Sequence, residues 1–134
     1  MVTEKHARRK GIRMEQDIVA EAWRKGYAAM RSPGSGAGAS YPKPDVVIFY
    51  EKQIHVVQVK TTRKRTLYLS KKAFEDELRF TETLRKLGFD AKAWLYVRVF
   101  KTGCRRLEKW IPLNDGIKRV KVWVDGGAVR YEVH

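Results

Sequence analysis

Asp45, Gln58 and Lys60 are polar residues whose types and spacing could form a chemical site. Asp45 follows Pro44 at the start of an apolar run, Gln58 comes thirteen residues later, and Lys60 follows two further on. Side chains alternate faces along a strand, so Gln58 and Lys60 are expected to point the same way. A hairpin of the two predicted strands would bring Asp45 near both, and a carboxylate, an amide oxygen and an ammonium would then share one place.

Each of these positions also has an ordinary structural explanation. A lysine is costly to bury without a partner, so Lys60 could lie at the strand exit with its ammonium in water. Asp45 could merely cap a turn after the proline that precedes it. The spacing alone therefore leaves a structural and a functional interpretation open.

Glu15 favours the functional interpretation. It lies on the apolar stripe that Ile12, Val19 and Ala22 form along the first predicted helix. A carboxylate that faces inward is costly unless it is paired or bound to a metal. A structural salt bridge to a lysine or arginine of the sheet is the alternative. Together with Asp45 and the polar pair on the second strand, Glu15 completes a set that could hold a divalent cation.

The hydrophobic pattern predicts two helices and a series of strands that would position these residues. The first helix ends at Gly26 with Trp23 on its inner face, and the second follows a Ser70 cap and ends at Gly88 with Leu87 facing inward. A loop rich in glycine, serine and proline spans 32–44. We expect helices at 12–25 and 71–87 and strands at 27–31, 45–50, 54–61, 66–69 and 91–100. This order indicates an α/β fold with a central mixed sheet flanked by helices.

The length of 134 residues fits one compact domain. Residues 1–11 are polar and basic, and we expect a mobile N-terminal arm there, followed by a single domain at 12–134. Within the region 105–134, an Asp-Gly-Gly turn at 125–127 between two β-rich stretches predicts a C-terminal hairpin.

The net charge of +14 comes from 29 lysines and arginines against 15 acidic residues, with a sequence pI of about 10.1. Such an excess favours a polyanionic partner, and nucleic acid is preferred over a membrane surface because the basic residues are not confined to one amphipathic helix. The sequence shows no membrane span and no secretory signal, so we expect a cytoplasmic protein. The single Cys104 excludes an internal disulfide and a cysteine-rich zinc site.

Four stretches of the sequence resemble the archaeal Holliday junction resolvases of the PD-(D/E)xK nuclease superfamily. The likeness covers roughly residues 10–100. Its most specific feature is an arginine-serine pair followed by glycine-serine ahead of Pro-Asp. The resemblance implies a single-domain restriction-endonuclease-like fold. The matching stretches are residues 11–19 (GIRMEQDIV), 26–36 (GYAAMRSPGSG), 44–48 (PDVVI) and 56–62 (VVQVKTT).

The resemblance also implies a metal-dependent active site. Glu15, Asp45 and Gln58 would surround Mg²⁺, for which Mn²⁺ could substitute. Lys60 would lie beside the ion, and Ser32 matches a serine of a loop near the scissile strand. Arg31 matches a basic residue that holds DNA phosphate. The candidates for DNA binding are Lys10, Arg13, Arg31, Ser35, Arg63, Lys64 and Arg65.

The implied function is a homodimeric endonuclease that nicks two opposed strands of a four-way DNA junction during recombination and repair. Gln58 departs from the family, which usually has glutamate there, and a neutral amide would weaken the hold on a metal. Two alternatives follow from this departure and from the breadth of the superfamily. One is a catalytically weakened or inactive junction-binding protein, and the other is a different PD-(D/E)xK DNA repair nuclease.

The dimer itself is implied by the resemblance only. Aromatic residues in the second half of the chain could supply its interface, although core packing explains most of them equally well. These residues are Trp94, Tyr96, Phe100, Trp110 and Trp123.

Overall fold

The computed structural model describes residues 4–32, 40–100 and 106–134, with side chains described from residue 11 onward. Its helices are α1 (Glu4–Arg24) and α2 (Glu75–Lys86), and a 3₁₀ turn at Lys71–Phe74 leads into α2. Its strands are β1 (Ala28–Arg31), β2 (Val46–Tyr50), β3 (Gln53–Thr62), β4 (Thr66–Ser70), β5 (Asp90–Val99), β6 (Leu107–Leu113), β7 (Arg119–Asp125) and β8 (Ala128–Val133). Neither helix is long and apolar enough to cross a membrane within the part of the chain that is described.

Five strands form the main sheet in the order β1-β2-β3-β5-β6. β3 and β5 run parallel and the other neighbours run antiparallel, so the sheet is mixed as predicted. A parallel pair needs a crossover connection, and β4 and α2 supply it between β3 and β5. A second, antiparallel sheet in the order β4-β7-β8 does not follow from the sequence pattern.

The main sheet is covered on both faces. On one face, Met14 and Ile18 of α1 pack against Val46, Val57 and Val59. On the other face, α2 and the inner side of the second sheet join β5 and β6 in the larger core cluster. Burial on both faces explains why β2 and β3 are rich in valine rather than alternating regularly between apolar and polar residues.

The predicted strands and the C-terminal hairpin are confirmed, with boundaries shifted by one or two residues. The start of the first helix is wrong, because α1 begins at Glu4. The part of the expected N-terminal arm from residue 4 to residue 11 is therefore helical. Lysine, arginine and glutamate are favourable in a helix and also suit an arm, and the sequence pattern did not separate the two.

Three side-chain predictions for the helix ends are wrong. Trp23 is 59% exposed, and its indole Nε1 donates a hydrogen bond of 2.9 Å to the carbonyl of Ala29. Leu87 is 69% exposed. Ser70 precedes the 3₁₀ turn that leads into α2, and its side chain makes no capping hydrogen bond there. At the ends of both helices the apolar pattern extends further than the packing does.

Candidate active site

The β2–β3 hairpin brings Asp45 across from Gln58. Glu51 and Lys52 form its two-residue turn with positive φ angles of 50° and 65°, a geometry that matches the twist of the strands and fixes their register. That register places Asp45, which immediately precedes β2, opposite Gln58 of β3. The Oδ2 atom of Asp45 accepts a hydrogen bond of 3.0 Å from the backbone N–H of Val59. The hairpin therefore fixes the carboxylate against β3.

Lys60 lies two residues beyond Gln58 on the same face of β3 and is half-buried. Burial raises the pKa of the Asp45 carboxyl, whereas the Val59 N–H and the positive charge of Lys60 act in the opposite direction. The carboxylate, the amide and the ammonium thus lie together at the start of β2, where the spacing predicts them.

Glu15 reaches the same end of the sheet from α1. Its side chain is 15% exposed, and its Oε1 lies 3.4 Å from Nε of Arg31 in β1. The salt bridge to an arginine of the sheet, which the sequence left open, is therefore present. Burial and then the negative charge of Asp45 raise the pKa of Glu15 to about 7, against the opposing effect of Arg31. Two carboxylates that repel each other at a buried edge provide a place for a cation.

Glu77 is a site residue that the sequence reasoning missed. It lies in the first turn of α2, is 1% exposed, and its Oε2 accepts a hydrogen bond of 3.1 Å from the backbone N–H of Asp45. Its Oε1 is buried without a hydrogen-bond partner. Burial and the Asp45 charge raise the pKa of Glu77 to about 9. A signal existed in the sequence, because Glu77 lies three residues after Phe74 and seven before Leu84, on the apolar stripe of α2.

Asp76 completes the attachment of α2 to the segment that leads into β2. Its Oδ2 accepts a hydrogen bond of 3.2 Å from the backbone N–H of Lys43. Pro42 and Pro44 have no N–H, so Lys43 and Asp45 carry all the backbone donors of residues 42–45. Two consecutive acids of α2 bind both donors, and we call this arrangement the α2 clamp (Asp76 and Glu77 on residues 43 and 45).

Glu15, Asp45 and Gln58 offer oxygen donors that could hold a divalent cation. Hard divalent cations prefer oxygen donors, and some of them keep several waters and take only one or two carboxylates from the protein. The Nε2 of Gln58 lies 3.4 Å from the carbonyl oxygen of Val59, and the amide oxygen makes no hydrogen bond within the described residues. In that same part of the chain, no three histidine, cysteine, aspartate or glutamate side chains group as in an all-protein metal cage.

The other residues that the sequence predicts for the site differ in where the structure places them. The backbone N–H of Ser32 donates a hydrogen bond of 3.1 Å to the carbonyl of Asp45, so Ser32 lies next to the strand start. Arg13 is exposed on α1. Ser35 and the side chain of Lys10 lie outside the described residues. Arg63, Lys64 and Arg65 are exposed in the turn between β3 and β4.

The aromatic residues considered for a dimer interface divide into two groups. Tyr96 is 1% exposed, and Trp94 and Phe100 pack beside it in the core cluster under α1. Core packing accounts for these three. Trp110 is 37% exposed on β6, and Trp123 is half-buried on β7. Both therefore have exposed surface that could contribute to a subunit interface.

The fold places the chain among α/β proteins with a mixed sheet flanked by helices. The solved structure of Archaeoglobus fulgidus Hjc, a Holliday junction resolvase from an archaeal hyperthermophile, matches with a TM-score of 0.55 and 29% sequence identity. The match covers 75% of this chain and 73% of that one. The predicted fold class is thereby confirmed.

The family model described as archaeal Holliday junction resolvase (Hjc) matches residues 6–121. The chain belongs to this family. The crossover junction endodeoxyribonuclease Hjc of Archaeoglobus fulgidus is 33% identical over 90 residues, which are 67% of this chain. The aligned part spans 62% of that relative's length, which is less than two thirds.

Proposed function

We propose that this protein is a Holliday junction resolving endonuclease that cleaves four-way DNA junctions by metal-dependent phosphodiester hydrolysis in recombination and repair. The observation that carries the proposal is the meeting of Glu15, Asp45, Gln58 and Lys60 at the start of β2, reached from three separate elements. The family match supports the choice of substrate.

Nucleases of this family are metal-dependent. We propose Mg²⁺, with Mn²⁺ able to substitute, held by Glu15, Asp45 and Gln58. Such an ion, when bound, supplies a water of lowered pKa and neutralises phosphate charge. Residues of the protein orient the groups that would hold the ion. The Val59 N–H and the α2 clamp orient Asp45, and Arg31 orients Glu15. The Lys60 ammonium can stabilise the negative charge that develops on the phosphate during attack.

Gln58 supports a second candidate function. Its amide contributes no charge to the ion, so metal affinity and turnover are lower than with a glutamate at that position. A junction-binding protein with weakened cleavage is therefore the alternative, and it predicts tight binding of a four-way junction with slow nicking or none.

The proposed partners are DNA and a second copy of the chain. DNA suits the charge of +14 and the exposed cations Arg63, Lys64 and Arg65 beyond the end of β3. Shape and backbone geometry of the junction, rather than base sequence, would be recognised. A homodimer would supply two active sites, one for each of the two nicks in opposed strands of the junction. The cytoplasmic location remains a prediction from the sequence.

Replacing Asp45 tests the site. Asp45→Asn keeps the shape of the side chain but removes its charge, and we expect cleavage of a labelled four-way junction in Mg²⁺ to fall by about a hundredfold or more. Binding of the junction, measured by gel shift, should stay within about twofold. Asp115→Asn is a matched control, since Asp115 is exposed and only contacts Lys71 at 3.8 Å. Full cleavage by the Asp45 variant would refute the site.

A further inference from the structure

The second sheet has an outer face that the active site does not use. Its inner face packs into the core through Leu67, Leu69, Val120, Val122 and Val129. Because side chains alternate along each strand, the residues between them point outward. We call the outward set the β4-β7-β8 face. It consists of Thr66, Tyr68 and Ser70 from β4, Arg119, Lys121 and Trp123 from β7, and Arg130 and Glu132 from β8.

Two aromatic rings on this face bracket a lysine. Tyr68 is 71% exposed, the largest exposed fraction of any large hydrophobic residue in the described part of the chain. Its strand partner is Lys121, whose Nζ lies 5.9 Å from the Tyr68 ring centre and 5.2 Å from the Trp123 ring centre. A flat sheet that presents rings and cations in alternation is a surface on which nucleobases can stack while phosphates meet the cations.

The cations at the centre of the face are available for a ligand. Arg130 is paired with Asp125 at 2.8 Å, and the carboxylate of Glu132 contacts His134 at 3.3 Å. Arg119 and Lys121 have no ion pair among the described residues. A shallow groove runs along β4 and β7, and these two cations line it together with the exposed ring of the tyrosine and with Glu132, the β8 strand partner of Lys121. The centre of the face thus combines an exposed aromatic ring with two cations and one carboxylate, which leaves its charge positive.

The face is continuous with the candidate active site along the chain. β3 carries Gln58 and Lys60 and ends at Thr62, and the exposed basic turn at 63–65 connects it directly to β4. The exposed basic turn thus links the strand that carries two residues of the candidate site to the first strand of the face.

We propose that the β4-β7-β8 face binds an unpaired stretch of DNA, with bases stacked on Tyr68 and Trp123 and phosphates held by Lys121 and Arg119. The proposal rests on the proposed function for the choice of DNA as the partner. An unpaired stretch is favoured over a duplex arm because bases reach an exposed ring only when they are unstacked from their neighbours. A duplex would use the cations alone and leave the rings in water.

The experiment measures binding of a fluorescently labelled oligothymidylate by anisotropy, with the complete chain. The wild type should bind it, and Tyr68→Ala should weaken binding by about tenfold to a hundredfold, the range for loss of one stacked base. Tyr68→Phe keeps the ring and should bind within about twofold of the wild type. Lys121→Gln should weaken binding and reduce the salt dependence, with the slope of log K against log salt falling by about 0.7.

Control variants separate stacking from general surface effects. Phe89 is 52% exposed three residues beyond the end of α2, and Phe89→Ala should leave oligothymidylate binding unchanged. Lys92 is exposed near the start of β5, and Lys92→Gln should lower affinity less than Lys121→Gln does.

The proposal is overturned if the wild type does not bind oligothymidylate, or if Tyr68→Ala binds it as tightly as the wild type. It is also overturned if Tyr68→Ala converts a dimer to a monomer in sedimentation, because the face would then be a subunit interface. Junction cleavage is measured with the same proteins. Cleavage without oligothymidylate binding refutes the face alone, and oligothymidylate binding without cleavage refutes the proposed nuclease function alone.

Discussion

Three acidic side chains near the start of β2 are buried close enough together for their negative charges to repel one another. Glu15, Asp45 and Glu77 are all wholly or partly buried, and the charge of Asp45 raises the pKa of each of the other two. Arg31 and Lys60 offset part of this repulsion. The remaining repulsion between the carboxylates can be relieved by binding of a divalent cation or by protonation, and these two processes compete.

The neutral amide of Gln58 limits how tightly a divalent cation can bind at the candidate site. Gln58→Glu adds a charged oxygen at the place opposite Asp45, so we expect Mn²⁺ to bind several-fold more tightly in a calorimetric titration of the metal-free protein. Cleavage at low metal concentration should rise with it. Gln53→Glu is the control, because Gln53 is at the far end of the same strand and contacts Asp90. Unchanged Mn²⁺ affinity in Gln58→Glu would show that position 58 does not hold the ion.

Glu77 should make the metal-free protein less stable as the pH rises. The ordinary pKa of a glutamate is 4.5, whereas that of folded Glu77 is about 9. Between these values the folded state keeps a proton that the unfolded state has lost, so stability falls with rising pH. Below both values the two states are protonated alike.

Glu77→Gln has no such proton to lose. Relative to the wild type, we expect it to gain more than about 1.4 kcal/mol of unfolding free energy between pH 5 and pH 8, the value of one unit of pKa difference. Chemical denaturation in the presence of a chelator measures this. The titration of Glu15 contributes to the unfolding free energy of both proteins, so its contribution cancels when the two are compared. Parallel pH profiles for the two proteins would contradict the assignment.

Among the elements, α2 determines where the Asp45 carboxylate, proposed to be catalytic, lies. The α2 clamp binds the backbone on both sides of Pro44, and Asp45 follows directly. Removing one hydrogen bond from a buried donor leaves it unsatisfied and lets the segment shift. A displacement of about 1 Å in a catalytic group can cost on the order of a hundredfold in rate.

Glu77→Leu should therefore lower the single-turnover rate of junction cleavage by about tenfold to a hundredfold, with the junction dissociation constant unchanged. Glu77→Gln keeps an oxygen acceptor for the Asp45 N–H and should retain most of the rate. Glu82→Leu is the control on the same helix, since Glu82 is exposed and pairs only with Lys86. Equal rates for the Leu and Gln variants would mean that the clamp does not position Asp45.

The elements also show how far the sequence could lead. The hairpin and its register were predictable, because a two-residue turn between valine-rich strands allows few pairings, and the register follows from the turn. The nearness of Asp45, Gln58 and Lys60 follows from that register. Glu15 could be found as a carboxylate on an apolar stripe, and the same test applied to α2 would have found Glu77.

Other features could not be read from the pattern. β4 pairs with β7, about fifty residues further on, and no local signal specifies that partner. The first turns of α1 lack an apolar stripe of their own, so the helix looked shorter than it is. Trp23 and Leu87 continue the helical pattern at positions where the packing has already ended.

At the scale of the whole molecule, charge and topology favour a DNA partner. The chain carries +14 and exposes Arg63, Lys64 and Arg65 just beyond the end of β3, the strand that carries Gln58 and Lys60. This charge attracts any nucleic acid, so affinity alone does not distinguish a junction enzyme from a nuclease that cuts ordinary duplex. Selectivity for a junction would come from the geometry with which the proposed dimer presents its two proposed sites.

The most direct measurement is cleavage of a labelled four-way junction in Mg²⁺, beside a linear duplex of the same sequence at equal salt. We predict paired nicks in opposed strands of the junction, and little or no cleavage of the duplex. Unlabelled duplex should compete poorly for the enzyme. Equal cleavage of both substrates would indicate a general DNA repair nuclease, and a tightly bound but uncut junction would contradict the proposed enzyme.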